Sequence, residues 1–139
     1  MKTIYLSDIE SAESGWIERI KPLLSKDFKI CDSFDEYTTL FGDNSNEVAD
    51  FIVRCITPKM TGFNQIVNLV FDSFEFPDNT IFIMLKTEFG SKFTDKQWAT
   101  LEEIADTVVN ANGANTFLTL EASANYINNK IQNENKQTQ

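Results

Sequence analysis

The stretch Thr57-Pro58-Lys59-Met60-Thr61-Gly62 places an ammonium group, two threonine hydroxyls and a glycine where an apolar run gives way to a helix-period segment. Free backbone amides at a helix start carry partial positive charge, so this turn is suited to a phosphate or to a cluster of sugar hydroxyls. The bland reading is a proline-containing strand-to-helix connection with a threonine N-cap. A second short stretch, Ser7-Asp8-Ile9-Glu10, offers a hydroxyl and carboxylates after the first apolar run. Asn64, Asn68, Asp72 and Glu75 follow the glycine at helical spacing, and such a polar stripe is by default a solvated face. Arg54 interrupts an otherwise apolar run and must reach an end of it or pair with an acid such as Asp50 or Asp8. Histidine is absent. That excludes imidazole as general base, phosphoacceptor or metal ligand, and with it Ser-His-Asp and Cys-His catalysis. Any chemistry here runs on carboxylates, hydroxyls, lysine or backbone dipoles, and no metal or cofactor is expected.

The elements that must position these groups belong to one domain. A chain of 139 residues with 42% hydrophobic residues can bury about two thirds of its unfolded surface without metal or disulfide staples. Acidic residues outnumber basic ones by 21 to 12, and the net charge of -9 repels nucleic acid polymers and anionic lipid. The cysteines, Cys31 and Cys55, fall in short apolar segments and read as reduced, packed thiols. The chain turns acidic within eight residues of Met1, and no apolar run approaches the roughly 18 residues of a membrane span. The expectation is a cytoplasmic protein with neither membrane nor nucleic acid as partner.

Apolar runs alternate with helix-period stretches throughout, the pattern of a parallel sheet covered by helices. Strands are expected at Thr3 to Leu6, Phe28 to Cys31, Phe51 to Ile56, Ile81 to Leu85 and Thr116 to Leu118. The third and fourth are nearly unbroken apolar runs and belong in the middle, which gives the flavodoxin-like order 2-1-3-4-5 with helices on both faces. A helix from about Ser14 carries Trp16, Ile17, Ile20, Leu23 and Leu24, and Pro22 should kink it or mark a second start. A short helix-like segment runs from Phe34 to Phe41, before a polar turn at Gly42 to Asn46. The helix from Gly62 is expected to bury Phe63, Ile66, Val67, Val70, Phe71 and Phe74. Thr94 and Gln97 make a capping box for a helix that buries Trp98, Leu101, Ile104, Ala105, Val108 and Val109 and ends at Gly113. A last helix carries Leu120, Ala124, Ile127 and Ile131, so the domain spans residues 1–131 and residues 132–139 form a flexible polar tail. In this fold, ligands bind outside the carboxyl ends of the strands where the strand order reverses, here the loops after the first and third strands.

Receiver domains share the strand order and often carry a similar loop, but their phosphoacceptor aspartate lies four residues before its proline. That position is Arg54. A phosphorylatable receiver is therefore set aside.

Thr3 to Leu6, Ala49 to Val53 leading into Ile56-Thr57-Pro58-Lys59-Met60-Thr61-Gly62, Asp72-Ser73, Pro77 to Phe82, and Leu101 to Gly113 together make the chain resemble the nucleoside 2-deoxyribosyltransferase-like family, in its small bacterial and phage branch. The resemblance spans about residues 3 to 129. It implies a pocket for a nucleoside or nucleotide lined by Tyr5, Ser7, Thr57, Lys59, Met60, Thr61, Gly62 and Asn64, and self-association into a homo-oligomer. Family members transfer deoxyribose between bases through a glutamate on the helix after the third strand, the two-step logic of retaining glycosidases. The matching position holds Asn68. An amide can hold a hydroxyl but cannot attack carbon. At the helical rise, Asp72 stands ~15 Å along the helix from Gly62, against ~9 Å for Asn68. Asp8 is the other carboxylate near the expected pocket.

Three readings stay open. The first is an enzyme of nucleoside or nucleotide metabolism that uses Asp8 or a shifted Asp72. The second keeps the pocket as a binding site without the chemistry. The third is an oligomeric interaction domain without a ligand.

Overall fold

The computed structural model describes residues 1–11, 13–42 and 48–137. Five strands, β1 (Thr3–Leu6), β2 (Lys29–Cys31), β3 (Phe51–Ile56), β4 (Thr80–Met84) and β7 (Asn115–Phe117), form one parallel sheet in the order β2-β1-β3-β4-β7. This is the α/β architecture that the alternating pattern predicts. The register pairs Ile4 with Phe51 and Leu6 with Val53, and sets Arg54 beside Phe82. The strand order reverses between β1 and β3, so the loops after those strands face one another.

Side chains alternate across the sheet and separate two cores. Ile4, Leu6, Phe51, Val53, Cys55, Ile81 and Ile83 pack under α1 (Trp16–Ile20) and α5 (Leu120–Gln137). On the opposite face the apolar packing falls into two separate clusters. Tyr5, Ile52, Cys31 and Ala49 lie with Tyr37 and Phe41 of α2 (Phe34–Phe41), and Ile56, Leu69, Phe82 and Met84 lie with α3 (Asn64–Glu75) and α4 (Asp95–Ile104).

Local chemistry explains most element ends. Pro22 lies in a 3-10 turn, Lys21–Leu23, directly after α1, where its missing amide proton costs nothing. Ser33 caps α2 by accepting from the Glu36 amide, and Thr94 and Gln97 form the expected capping box on α4. Beyond Ile104 the helix widens into a π turn over Ala105–Val109, and Gly113 ends it with φ 99°. A two-stranded hairpin, β5 (Thr87–Glu88) and β6 (Ser91–Lys92), adds an element that the apolar pattern does not announce; Phe89 and Gly90 both have positive φ at its tip. Its buried Glu88 accepts hydrogen bonds from Ser14 and Arg19, which ties the hairpin to α1.

Several expected boundaries shift. β2 starts at Lys29, β4 runs one residue earlier than the apolar run, and β7 covers Asn115–Phe117. α1 begins at Trp16 after Gly15 in the left-handed region, and α3 begins at Asn64 rather than Gly62. α5 continues to Gln137, so the polar segment from Gln132 extends the helix instead of leaving it; residues 138 and 139 lie outside the described residues. Most of the polar turn expected at Gly42 to Asn46 also lies outside them. Among the described residues no helix is long and apolar enough to cross a membrane.

Candidate functional site at the strand reversal

The largest departure from the hydrophobic pattern is the orientation of α3. Its buried residues are Gln65, Leu69, Asp72 and Ser73, while Phe63, Val67, Phe71 and Phe74 stand 79%, 63%, 58% and 72% exposed. The expected burial of those four apolar residues is therefore overturned, and Ile66 and Val70 are only partly covered. Arg54 gives the reason. It lies on β3 directly beneath α3, and a guanidinium removed from water needs a counter-charge and hydrogen-bond acceptors. Its Nε donates to Asp72 Oδ2 at 2.6 Å, and its Nη1 donates to Gln65 Oε1 at 2.8 Å and to Ser7 Oγ at 3.1 Å. Ser7 also donates to Gln65 Oε1 at 3.0 Å. The acid that pairs with Arg54 is thus Asp72, not Asp50 or Asp8. Asp50 instead accepts from the Thr3 amide and meets Lys2. Burial pushes the Asp72 carboxyl above its ordinary range, and the Arg54 guanidinium partly offsets this.

The opening turn of α3 is occupied as well. Glu10 Oε1 accepts from the Gln65 amide at 2.8 Å, and the Glu10 carbonyl accepts from the Thr61 amide at 3.3 Å. A Cβ placed on Gly62 would overlap the Glu10 carboxylate, so the glycine is what lets that side chain lie across the helix start. Glu10 itself adopts φ 57°, unusual for a residue with a side chain. The free amides expected beside Lys59 are therefore partly spent on the protein's own anion, at the place where a ligand phosphate would have docked. The pattern did not single out Glu10. Its signal was an acid in the loop after β1, the loop that faces the start of α3 in this strand order.

The remaining predicted residues divide between the walls and the interior. Thr57 is buried, and its hydroxyl accepts from the Lys59 amide at 3.0 Å while its carbonyl accepts from the Met60 amide, a compact turn rather than an N-cap. Lys59 and Met60 are half-buried and Thr61 is exposed. Asp8 is exposed, and its Oδ1 accepts from the Phe34 amide at 3.2 Å, which directs it toward α2. Tyr5 lies in the interior, stacked on Tyr37 with ring centroids 4.1 Å apart, and burial raises its phenol. Ile66 packs toward α4, so the helical wheel sets Asn64 and Asn68 on the opposite flank of α3, toward β1 and α2. Asn68 is half-buried there and Asn64 is exposed.

Two hollows border these groups. One of about 280 Å³ lies beside the β1 loop, lined by Asp8, Ser11, Gly15, Ile17, Glu18 and Asp32. The other, about 180 Å³ and mostly apolar, lies between α3 and α4 and includes Met60, Phe63, Phe93 and Gln97. Comparison with protein-family models, with curated proteins and with solved structures gives no match.

Proposed function

We propose that this chain binds a nucleoside at the reversal between β1 and β3 without cleaving it. The observation that carries the reading is the state of the carboxylates around α3. Asp72 is buried and held by Arg54, Glu10 is bound across the helix start, and Asp8 is directed to the Phe34 amide. None of the three is poised to attack an anomeric carbon, while Asn68 offers an amide at the position where the resembling family carries its nucleophile. Amides and carboxylates suit sugar hydroxyls, which donate and accept. A phosphate would meet Glu10 at α3 and a chain of net charge -9 around it, so a neutral nucleoside fits better than a nucleotide. Free, buried Cys31 and Cys55 agree with a reducing, cytoplasmic setting.

The test is calorimetric titration with the common nucleosides and their monophosphates, alongside chromatography for released base. Nucleosides should bind, monophosphates should bind more weakly, and no base should appear. At a hundredfold excess over Kd the ligand adds about 2.7 kcal/mol of stability, visible as a raised Tm. Asn68→Glu should convert binding into slow base release. A panel with no titration heat and no Tm change would reject the reading. The exposed apolar face of α3 favours a second reading, an interaction domain that works through contacts and not through a ligand.

A further inference from the structure

We infer that α3 is the self-association surface of this protein, pairing antiparallel with α3 of a second copy. Phe63, Val67, Phe71 and Phe74 form one stripe along the helix and are mostly exposed, because Arg54 draws the polar side of α3 onto the sheet. With about 200 Å² for a fully exposed phenylalanine, the stripe offers roughly 500 Å² of apolar surface per copy. Two such faces bury about 1,000 Å² together, the lower bound for a specific interface, so the dimer is a reversible one.

The spacing selects a second copy over other occupants. An isologous interface needs a surface complementary to itself under a two-fold axis. Antiparallel pairing about the middle of α3 sets Phe63 against Phe74 and Val67 against Phe71, so every apolar residue of one copy meets one of the other. The same rotation brings the Lys59 turn of each copy beside Glu75 and Asp78 of its mate, and opposes the two helix dipoles. Charge points the same way. A chain of net charge -9 can approach itself only through a face with little charge, and the stripe of Phe63, Val67, Phe71 and Phe74 carries none, while Asp72 of the same helix is turned inward and held by Arg54. α3 has no lysine or arginine, so it lacks the basic face with which amphipathic helices hold anionic membranes.

Sedimentation velocity of the full chain over a range of concentrations should show a monomer-dimer equilibrium. Phe71→Asp and Phe74→Asp, both at exposed sites, should each weaken it at least about tenfold while circular dichroism, and Tm at a dilution where the parent is monomeric, stay unchanged. A mixture of the Val67→Cys and Phe71→Cys variants should form a disulfide between the two chains on mild oxidation, more readily than either variant alone. A chain that stays monomeric at several hundred micromolar, a dimer indifferent to both aspartates, or Val67→Cys coupling best with itself would overturn the proposal. So would a monomeric chain that adsorbs to neutral phosphatidylcholine vesicles through this stripe.

Discussion

Arg54 on β3 and Asp72 on α3 form a buried ion pair, Nε to Oδ2 at 2.6 Å, and this pair determines which side of α3 meets the sheet. It leaves the polar network of Ser7, Arg54, Gln65 and Asp72 between the two apolar clusters on that face. Removing one partner strands the other in a low dielectric. Arg54→Met or Asp72→Leu alone should cost about 3–5 kcal/mol, whereas the double variant should return to within about 2 kcal/mol of the parent, because a buried pair is replaceable by apolar volume. Urea unfolding of the four proteins measures this, and a double variant whose loss equals the sum of the two single losses would show that the pair is not coupled.

Glu10 closes the amino end of α3, so its loss should resemble the loss of a cap. Glu10→Ala should lower stability by about 1 kcal/mol, with relief at the positive φ offsetting little because alanine also prefers negative φ. Gly62→Ala should displace the same carboxylate by overlap. The two substitutions should therefore be non-additive, the double variant losing little more than either single one. A fully additive cycle would place their effects at separate sites.

Base exposure should destabilise the fold in a defined window. Burial raises Cys31 and Cys55 above 9.0, and Tyr5 and Tyr37 above 10.0, so the folded chain keeps protons that the unfolded chain releases. Lys2 and Lys21 are raised above 10.5, chiefly by hydrogen bonds to Glu134 and Asp32. For a group raised on folding, the stabilisation is whole below the unfolded pKa and is lost as pH rises through the folded one. Stability should be level up to about pH 8.5 and then fall, each buried group adding about 1.4 kcal/mol per pH unit to the slope. Thermal melts between pH 8 and 11 follow it, and Cys55→Val should make the first part of the decline shallower.

The same burial makes a chemical prediction. Neither thiol should react with a disulfide reagent at pH 8 in the native protein, and both should react in denaturant. Fast native labelling of Cys55 would contradict its place between the sheet and α1.

The sheet was legible because β3 and β4 are runs of apolar side chains that only a doubly covered strand can bury, and the order follows from placing them centrally. The Thr94 cap, the Phe34–Phe41 helix and the Pro22 break were legible for local reasons: a hydroxyl, a helical spacing and a missing amide proton. The hairpin at Phe89 was not, since strands of two residues carry no period. At the site, Ser7, Asn68 and the Lys59 turn lie on the two elements that meet at the strand reversal, whereas the place of Glu10 across the start of α3 and the partner of Arg54 were not legible.

The sequence by itself determined the five strands of the main sheet and the principal helices, because each carries its own apolar period, whereas the short β5–β6 hairpin carries none. Tertiary structure decided which face of α3 is inside. Hydrophobic periodicity assigns the core to the stripe with the most carbon, and here one arginine beneath the helix outweighed four apolar side chains. An unpaired charge in a protein interior costs more than leaving those side chains in water, and that comparison exists only once β3 and α3 have been brought together.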